Sequence, residues 1–254
     1  MPAPLGEAET RETIVITRSA DRVVVQLSRP EVRNAINRRM VDELHEVCVE
    51  LEAIPRILIL TGSEGVFASG ADIAELRERT SADAVAGINT MLFIRVSELP
   101  MPVIAAVDGY ALGGGAELAY AADFRIGTPR AKFGNPETGL GIIAPAGALW
   151  RLPELVGEPL AKEMLLAGRI LGGEEALAAG LLTRVVAPEQ LLEAAHALAD
   201  EIAAKSVAAT IQTKAIMRVD RGRHPHIDLE AQAALFDSEE KHRRMTDFLE
   251  RRTR

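Results

Sequence analysis

The chain has 254 residues, of which 48% are hydrophobic and only 4% aromatic, and its formal net charge is −8. An acidic chain excludes binding of nucleic acid through a basic surface, and the few aromatic residues leave little stacking surface for single strands. The apolar runs are shorter than the roughly 18 residues of a membrane span, and the N-terminus lacks the apolar segment of a secretory signal. We therefore expect a cytoplasmic protein with neither a nucleic acid nor a membrane as partner.

Strand and helix patterns alternate along the first 188 residues. The expected elements in chain order are two paired strands over residues 13–28, a helix over 38–52, a buried strand over 56–61, helices over 71–79 and 85–99, and a buried strand over 102–107. Such alternation predicts an α/β fold with largely parallel strand pairing, and we assign residues 1–188 to this core.

The strand pattern ends at Pro188, and only helical patterns follow, over residues 189–205, 207–219 and 227–252. This second region, residues 189–254, is rich in charges of both signs toward its end. A charged helical tail after an α/β body is typical of an oligomerisation or capping element.

Cys48 is the only cysteine, so it cannot form a disulfide within the chain. It lies in the apolar repeat of the helix expected over residues 38–52, away from any helix N-terminus that would lower its pKa. We therefore expect a buried and unreactive thiol.

Two glycine-rich turns each follow a buried-strand pattern, at residues 66–73 and 109–118. Small residues at a helix start leave backbone N–H groups free, and the positive end of the helix dipole lies there. If the two turns meet, their N–H groups form an oxyanion hole for an ester or thioester carbonyl. The alternative is that both are tight turns at which helices pack closely.

Two glutamates lie in apolar surroundings near these turns. Glu117 follows three glycines at the start of an apolar segment, and Glu137 precedes the apolar residues 140–148. Burial would raise the pKa of both carboxyls toward values useful for proton transfer. The simpler interpretations are a favourable charge at a helix N-terminus for Glu117 and a loop carboxylate for Glu137.

Two weaker patterns are insufficient to predict a cofactor site or a metal site. Residues 139–144 match a dinucleotide-binding glycine pattern but lack a preceding strand, and His224 and His226 lack a third metal ligand nearby. We expect neither a nicotinamide site nor a metal site.

Five ordered motifs resemble the crotonase superfamily, the enoyl-CoA hydratase/isomerase family, over nearly the whole chain. They are Leu27-Ser-Arg-Pro-Glu-Val-Arg-Asn-Ala35, Phe67-Ala-Ser-Gly-Ala-Asp-Ile73, Asp108-Gly-Tyr-Ala-Leu-Gly-Gly-Gly-Ala-Glu-Leu118, Phe133-Gly-Asn-Pro-Glu137 and residues 178–186, with a further match at residues 245–251.

The resemblance implies a spiral of ββα units followed by a helical trimerisation region, in a homo-oligomer that is a trimer or a dimer of trimers. It implies that the N–H groups of Ala71 and Gly114 polarise the carbonyl of an acyl-CoA thioester. It also implies that the substrate or its CoA moiety contacts a set of residues, namely Arg33, Ala35, Ser69, Asp72, Ile73, Tyr110, Gly113, Pro136, Ile142 and Arg251.

Both glutamates of the family's hydratases are present, which implies addition of water across a 2-trans-enoyl-CoA, as in fatty-acid β-oxidation. Glu117 would activate the water for attack on C3, and Glu137 would deliver a proton to C2. No cofactor is expected, because coenzyme A is part of the substrate. Acyl chain length would depend on how residues 85–99 and 142–150 pack.

Two departures from the family pattern keep other functions open. Pro145 stands where hydratases have a glycine whose N–H helps to hold water, and proline has no N–H to donate. The alternatives are an enoyl-CoA isomerase or another lyase with a single proton-transferring glutamate, and a non-catalytic acyl-CoA-binding protein. Lysines usual near the first glycine turn are also missing, so Arg33, Arg77 or Arg251 would bind the CoA phosphates.

Overall fold

A computed structural model describes residues 6–252, apart from the side chain of Arg252. The helices in chain order are α1 (Arg38–Ala53), α2 (Ile73–Glu78), α3 (Ser81–Ala86), α4 (Ile88–Glu98), α5 (Gly114–Ala121), α6 (Ala148–Val156), α7 (Glu158–Ala167), α8 (Gly173–Ala178), α9 (Leu191–Ala203), α10 (Val207–Ile216), α11 (His226–Phe236) and α12 (Glu239–Arg252). The strands are β1 (Ala8–Thr10), β2 (Ile14–Arg18), β3 (Arg22–Leu27), β4 (Ile57–Gly62), β5 (Val103–Val107), β6 (Tyr110–Leu112), β7 (Phe124–Gly127), β8 (Lys132–Gly134), β9 (Leu171–Gly172) and β10 (Arg184–Val185).

The main sheet has the strand order β1-β2-β3-β4-β5-β7-β10. The first two pairings are antiparallel, and every pairing from β3 to β10 is parallel. The hairpin expected over residues 13–28 is confirmed, since Ile14 of β2 lies opposite Leu27 of β3. The largely parallel pairing predicted from the alternating pattern is also confirmed.

The core lies between this sheet and the helices packed on it. Every residue of β5 is buried, and α1 turns its apolar stripe inward. Cys48 on that stripe is 1% exposed, and burial raises the pKa of its thiol to about 12. The prediction of a buried cysteine is therefore confirmed, and the raised pKa disfavours the thiolate, which is the reactive form.

Three expected helices differ from those observed, each because of a local cap. The first begins at Ile73, since the Asp72 side chain accepts N–H bonds from Ala74 and Glu75. The helix expected over 85–99 is divided by Gly87, whose φ of 62° ends α3. The helix expected over 227–252 is divided before Ser238, whose hydroxyl accepts the N–H of Lys241 at the start of α12.

A second, small sheet has the strand order β6-β8-β9 and determines where two short helices begin. Strands β6 and β8 are parallel, and the N–H of Gly113, just after β6, donates to the carbonyl of Gly134 at 2.8 Å. Helix α5 follows β6, and a 3-10 helix over Pro136–Leu140 follows β8. Because β6 and β8 are parallel neighbours, helix α5 and the 3-10 helix begin next to each other.

The chain forms two compact units, Met1–Asp200 and Glu201–Arg254. The second unit is helical in its described residues, and the last strand of the described chain ends at Val185. The domain boundary expected between residues 188 and 189 stays a prediction. Within residues 6–252, no helix combines the length and the apolar character needed to cross a membrane.

Candidate active site

The first glycine-rich turn is held against the segment that follows β3. The N–H of Ser69 donates to the carbonyl of Arg33 at 3.0 Å, and the N–H of Ile36 donates to Gly70 at 2.8 Å. The N–H of Asp72 returns a bond to Ile36 at 3.0 Å. Two regions that the sequence separates by more than thirty positions therefore form one rim of the site.

A buried asparagine shapes this rim. Asn34 and Arg33 both have a positive φ, which is costly for residues with a side chain. Asn34 offsets the cost with its side-chain amide, which donates to the carbonyls of Ser63 and Val66 and accepts the N–H of Arg29. The residue type alone does not predict this structural function of Asn34.

The two glycine-rich turns meet, which fulfils the condition for an oxyanion hole and leaves close packing of the turns as part of the same geometry. A Cβ placed on Gly114 would lie 3.4 Å from the Ala71 nitrogen, so the two backbone N–H groups border the same space. Gly115 permits this approach, because a Cβ there would lie 2.2 Å from the carbonyl oxygen of Ala68. Within the described chain, neither the Ala71 nor the Gly114 N–H has a backbone acceptor.

Glu117 lies in the first turn of α5 and is 2% exposed. Its Oε1 accepts the backbone N–H of Ala146 at 2.7 Å and that of Ala148 at 3.2 Å. Burial is the main cause that raises the pKa of Glu117 to about 7, the charge of Glu137 adds to it, and the two N–H bonds oppose it. A carboxyl with a pKa near 7 can accept or release a proton at neutral pH.

Glu137 lies in the 3-10 helix that follows β8 and is 8% exposed. Its Oε2 is buried without a hydrogen-bond partner among the described residues, and burial raises the pKa of the carboxyl. Its Oε1 lies against the backbone of Gly113, because a Cβ on that residue would be 2.9 Å away. Gly113 thus leaves room for the carboxylate beside the second glycine-rich turn.

A buried Tyr120–Asn135 pair lies beside the two glutamates and is absent from the sequence-based predictions. The Tyr120 hydroxyl donates to Oδ1 of Asn135 at 3.1 Å. The Asn135 Nδ2 atom is buried and makes no hydrogen bond of ordinary geometry within the described chain, but the Asn135 side chain is near enough to Glu137 to lower the pKa of that carboxyl against the effect of burial. Burial, followed by the charges of Glu117 and Glu137, raises the pKa of the Tyr120 phenol, which therefore stays a hydrogen-bond donor. A lone tyrosine and a lone asparagine form no motif, so the sequence does not predict that these two side chains pair.

The residues expected to contact substrate fall into two groups. Several lie on the segments just described: Arg33, Ala35, Ser69, Asp72 and Ile73 along the first rim, and Tyr110, Gly113, Pro136 and Ile142 around the second turn and the 3-10 helix. The Asp72 carboxylate caps α2 and accepts a bond from Arg29 at 3.1 Å, so it also has a structural function. Arg251 lies exposed on α12, in the second compact unit.

The sequence profile of a family described as "Enoyl-CoA hydratase/isomerase" matches residues 18–254. The chain belongs to this family. Its crotonase-type fold confirms the fold predicted from the five motifs.

Relatives of this enoyl-CoA hydratase/isomerase family member are similar over most of its length. A "Crotonyl-CoA hydratase" of Syntrophomonas wolfei is 36% identical over 95% of this chain and 96% of its own. A "Short-chain-enoyl-CoA hydratase" of Clostridium acetobutylicum is 35% identical over 94% and 95%, respectively. The crystal structure of an enoyl-CoA hydratase from Bacillus anthracis superposes with a TM-score of 0.89 at 31% identity, over 94% of this chain and 97% of that one. These names support the predicted class of enzyme, a hydratase.

Proposed function

We propose that this protein is an enoyl-CoA hydratase, a hydro-lyase that adds water across the double bond of a 2-trans-enoyl-CoA to give the 3-hydroxyacyl-CoA. The observation that carries the proposal is the pairing of two buried carboxyls, Glu117 and Glu137, beside the free N–H groups of Ala71 and Gly114. Hydration needs a base, an acid and a site for an enolate oxygen, and these four groups supply all three.

The proposed reaction uses the two carboxyls in turn. Glu117 as carboxylate takes a proton from water, and the oxygen of that water forms a bond to C3. The electron pair of the double bond moves toward the thioester, where the N–H groups of Ala71 and Gly114 stabilise the enolate oxygen. Protonated Glu137 then delivers a proton to C2. The addition needs no cofactor: one hydrogen of the water stays on the oxygen at C3, the other is left on Glu117, and the proton on C2 comes from Glu137. The cycle closes when Glu117 releases its proton to solvent and Glu137 takes one up.

The segment after Pro145 supports the assignment of Glu117 as base. Ala146 and Ala148 both donate to Oε1, which holds the carboxylate in one orientation and leaves Oε2 to contact water. Proline at position 145 removes a further N–H from this segment, so the two glutamates would orient the water.

The proline at position 145, which has no N–H to hold a water, also favours a second candidate function, that of an enoyl-CoA isomerase. An isomerase moves a proton between two carbons of the acyl chain and needs no bound water. A single glutamate of raised pKa, Glu137 or Glu117, would suffice for that transfer.

The proposal extends to assembly and cellular role. We propose a homo-oligomer, a trimer or a dimer of trimers, acting in the cytoplasm in fatty-acid β-oxidation. Support comes from the second unit, where Phe236, Phe248 and Leu249 expose apolar surface and border a cavity of about 470 Å³. Light scattering on the full chain tests the assembly, with masses of three or six times 27.3 kDa expected.

The deciding experiment offers crotonyl-CoA to the purified protein and follows loss of the ultraviolet absorbance of the conjugated thioester. Turnover is expected, and Glu117→Gln and Glu137→Gln should each lower it about 10²–10⁴-fold. A parallel assay with a 3-enoyl-CoA tests for isomerase activity by the appearance of the same absorbance. No hydration of short or long 2-enoyl-CoAs would refute the hydratase proposal, and binding without any turnover would favour a non-catalytic protein.

A further inference from the structure

Asn89 on α4 lies beside the gap between the two glycine-rich turns, where the two free backbone N–H groups are found. A Cβ placed on Gly114 would lie 3.4 Å from the Ala71 nitrogen and 3.7 Å from Nδ2 of Asn89. The side-chain amide of Asn89 is thus nearly as close to this gap as the backbone nitrogen of Ala71 on the opposite turn.

Arg79 determines which end of the Asn89 amide faces this space. The Arg79 Nη1 donates to Oδ1 of Asn89 at 3.1 Å. A guanidinium group can only donate hydrogen bonds, so the atom that faces it must be the amide oxygen. The Nδ2 atom, with two N–H groups, is then directed away from Arg79. No described residue accepts a hydrogen bond from it.

Arg79 is itself held in place. Its side chain is 18% exposed, and its second terminal nitrogen lies 3.9 Å from the Glu75 carboxylate one helical turn earlier. The backbone N–H of Arg79 donates to Leu76 at the end of α2. Arg79 therefore contacts Glu75 as well as Asn89, and both contacts are present without a substrate.

We propose that Asn89 is a third donor to the oxyanion site, with Arg79 as its positioning residue. The Nδ2–H of Asn89 would donate to the thioester oxygen as negative charge develops there, beside the N–H groups of Ala71 and Gly114. This inference rests on the proposed function and adds a side-chain group to it. A donor fixed in advance at such a position stabilises the transition state more than the ground state.

A side-chain donor can be removed by substitution, which is not true of the two backbone donors. Asn89→Leu keeps a side chain of similar shape and removes both amide N–H groups. Asn89→Asp keeps an acceptor for Arg79 but replaces the donor with a carboxylate that repels the enolate. Met91→Leu, at an exposed position on the same helix, is the matched control.

Two measurements on the full chain test the inference. The first is steady-state hydration of crotonyl-CoA, for which Asn89→Leu should lower kcat about 10–100-fold and change KM less than about threefold. The second is the ultraviolet absorption of bound 2,4-hexadienoyl-CoA, which moves to longer wavelength as its carbonyl is polarised. That shift should be smaller in Asn89→Leu and smaller still in Asn89→Asp. Arg79→Met should give an intermediate loss, and Met91→Leu should match the unaltered protein.

Thermal unfolding establishes that each variant is folded, and Asn89→Asp serves if Asn89→Leu does not fold. An unchanged kcat and an unchanged spectrum in either folded Asn89 variant would overturn the inference. A change in KM for one acyl chain with an unchanged spectrum would also overturn it, because Asn89 would then select the chain. If the unaltered protein neither hydrates nor polarises any enoyl-CoA, the proposed function fails, and the inference fails with it.

Discussion

Glu117 and Glu137 are both buried, yet their surroundings differ. Glu117 accepts two backbone N–H bonds, which favour its charged form, whereas Oε2 of Glu137 has no partner within the described chain. Burial raises the pKa of both carboxyls. The two N–H bonds fix the orientation of the Glu117 carboxylate, which suits the base of the proposed reaction, and burial favours the protonated form of Glu137, which suits the acid.

The pH dependence of kcat/KM follows from these assignments. Glu117 must be ionised to act as base, so activity should rise with pH up to about 7, the pKa that burial gives it. Activity should fall again once Glu137 loses the proton that it donates. Initial rates with crotonyl-CoA between about pH 5 and pH 10 give the profile. A rate constant that does not change between about pH 5 and pH 7 would contradict the assignment of Glu117.

At the level of elements, the parallel pairing of β6 and β8 places α5 and the 3-10 helix side by side. Gly113 lies at the joint between β6 and α5 with a φ of 50°, and Glu137 fills the space where its Cβ would be. Both features require glycine there.

Gly113→Ala should displace the Glu137 carboxylate and lower kcat about 10–100-fold, since catalysis is sensitive to shifts of about 1 Å. Gly139→Ala is the matched control, because a Cβ at position 139, in the same 3-10 helix as Glu137, meets no atom within 4 Å. Hydration rates of both variants test this expectation. Equal rates in the two would show that the position of Glu137 does not depend on Gly113.

The elements that carry a periodic apolar pattern were predictable from the sequence, and helix α1 and strand β5 match their expected ranges within one or two residues. The break at Gly87 was not predicted, because apolar residues continue on both sides of it. The two glycine-rich turns and the two glutamates were also found from the sequence. The hydrogen-bond partners of Glu117 could not be predicted. They are backbone N–H groups of Ala146 and Ala148, and every residue except proline has such a group.

For the whole molecule, the ionisation of Glu117 should cost stability. Its pKa is about 7 in the folded chain, against 4.5 for an ordinary glutamate, so folding favours the protonated form. The stability that protonation contributes is complete below about pH 4.5 and is lost as the pH rises through 7.

Glu117→Gln removes this dependence while keeping an acceptor for Ala146 and Ala148. The variant should therefore gain about 2–3 kcal/mol in the free energy of unfolding, relative to the unaltered protein, between about pH 5 and pH 8. Urea unfolding at both pH values and one protein concentration measures the difference. Glu154→Gln, an exposed position on α6, is the control. A gain of equal size at both pH values would contradict a cost due to ionisation.

The position of Cys48 in the core has a practical consequence. The chain has one cysteine, and its thiol stays protonated and enclosed in the folded protein. A cysteine introduced at any exposed site can therefore carry a fluorophore or a spin label without first replacing Cys48. The native thiol can also be used to measure local unfolding, since its rate of reaction with a thiol reagent reports how often the core around α1 opens.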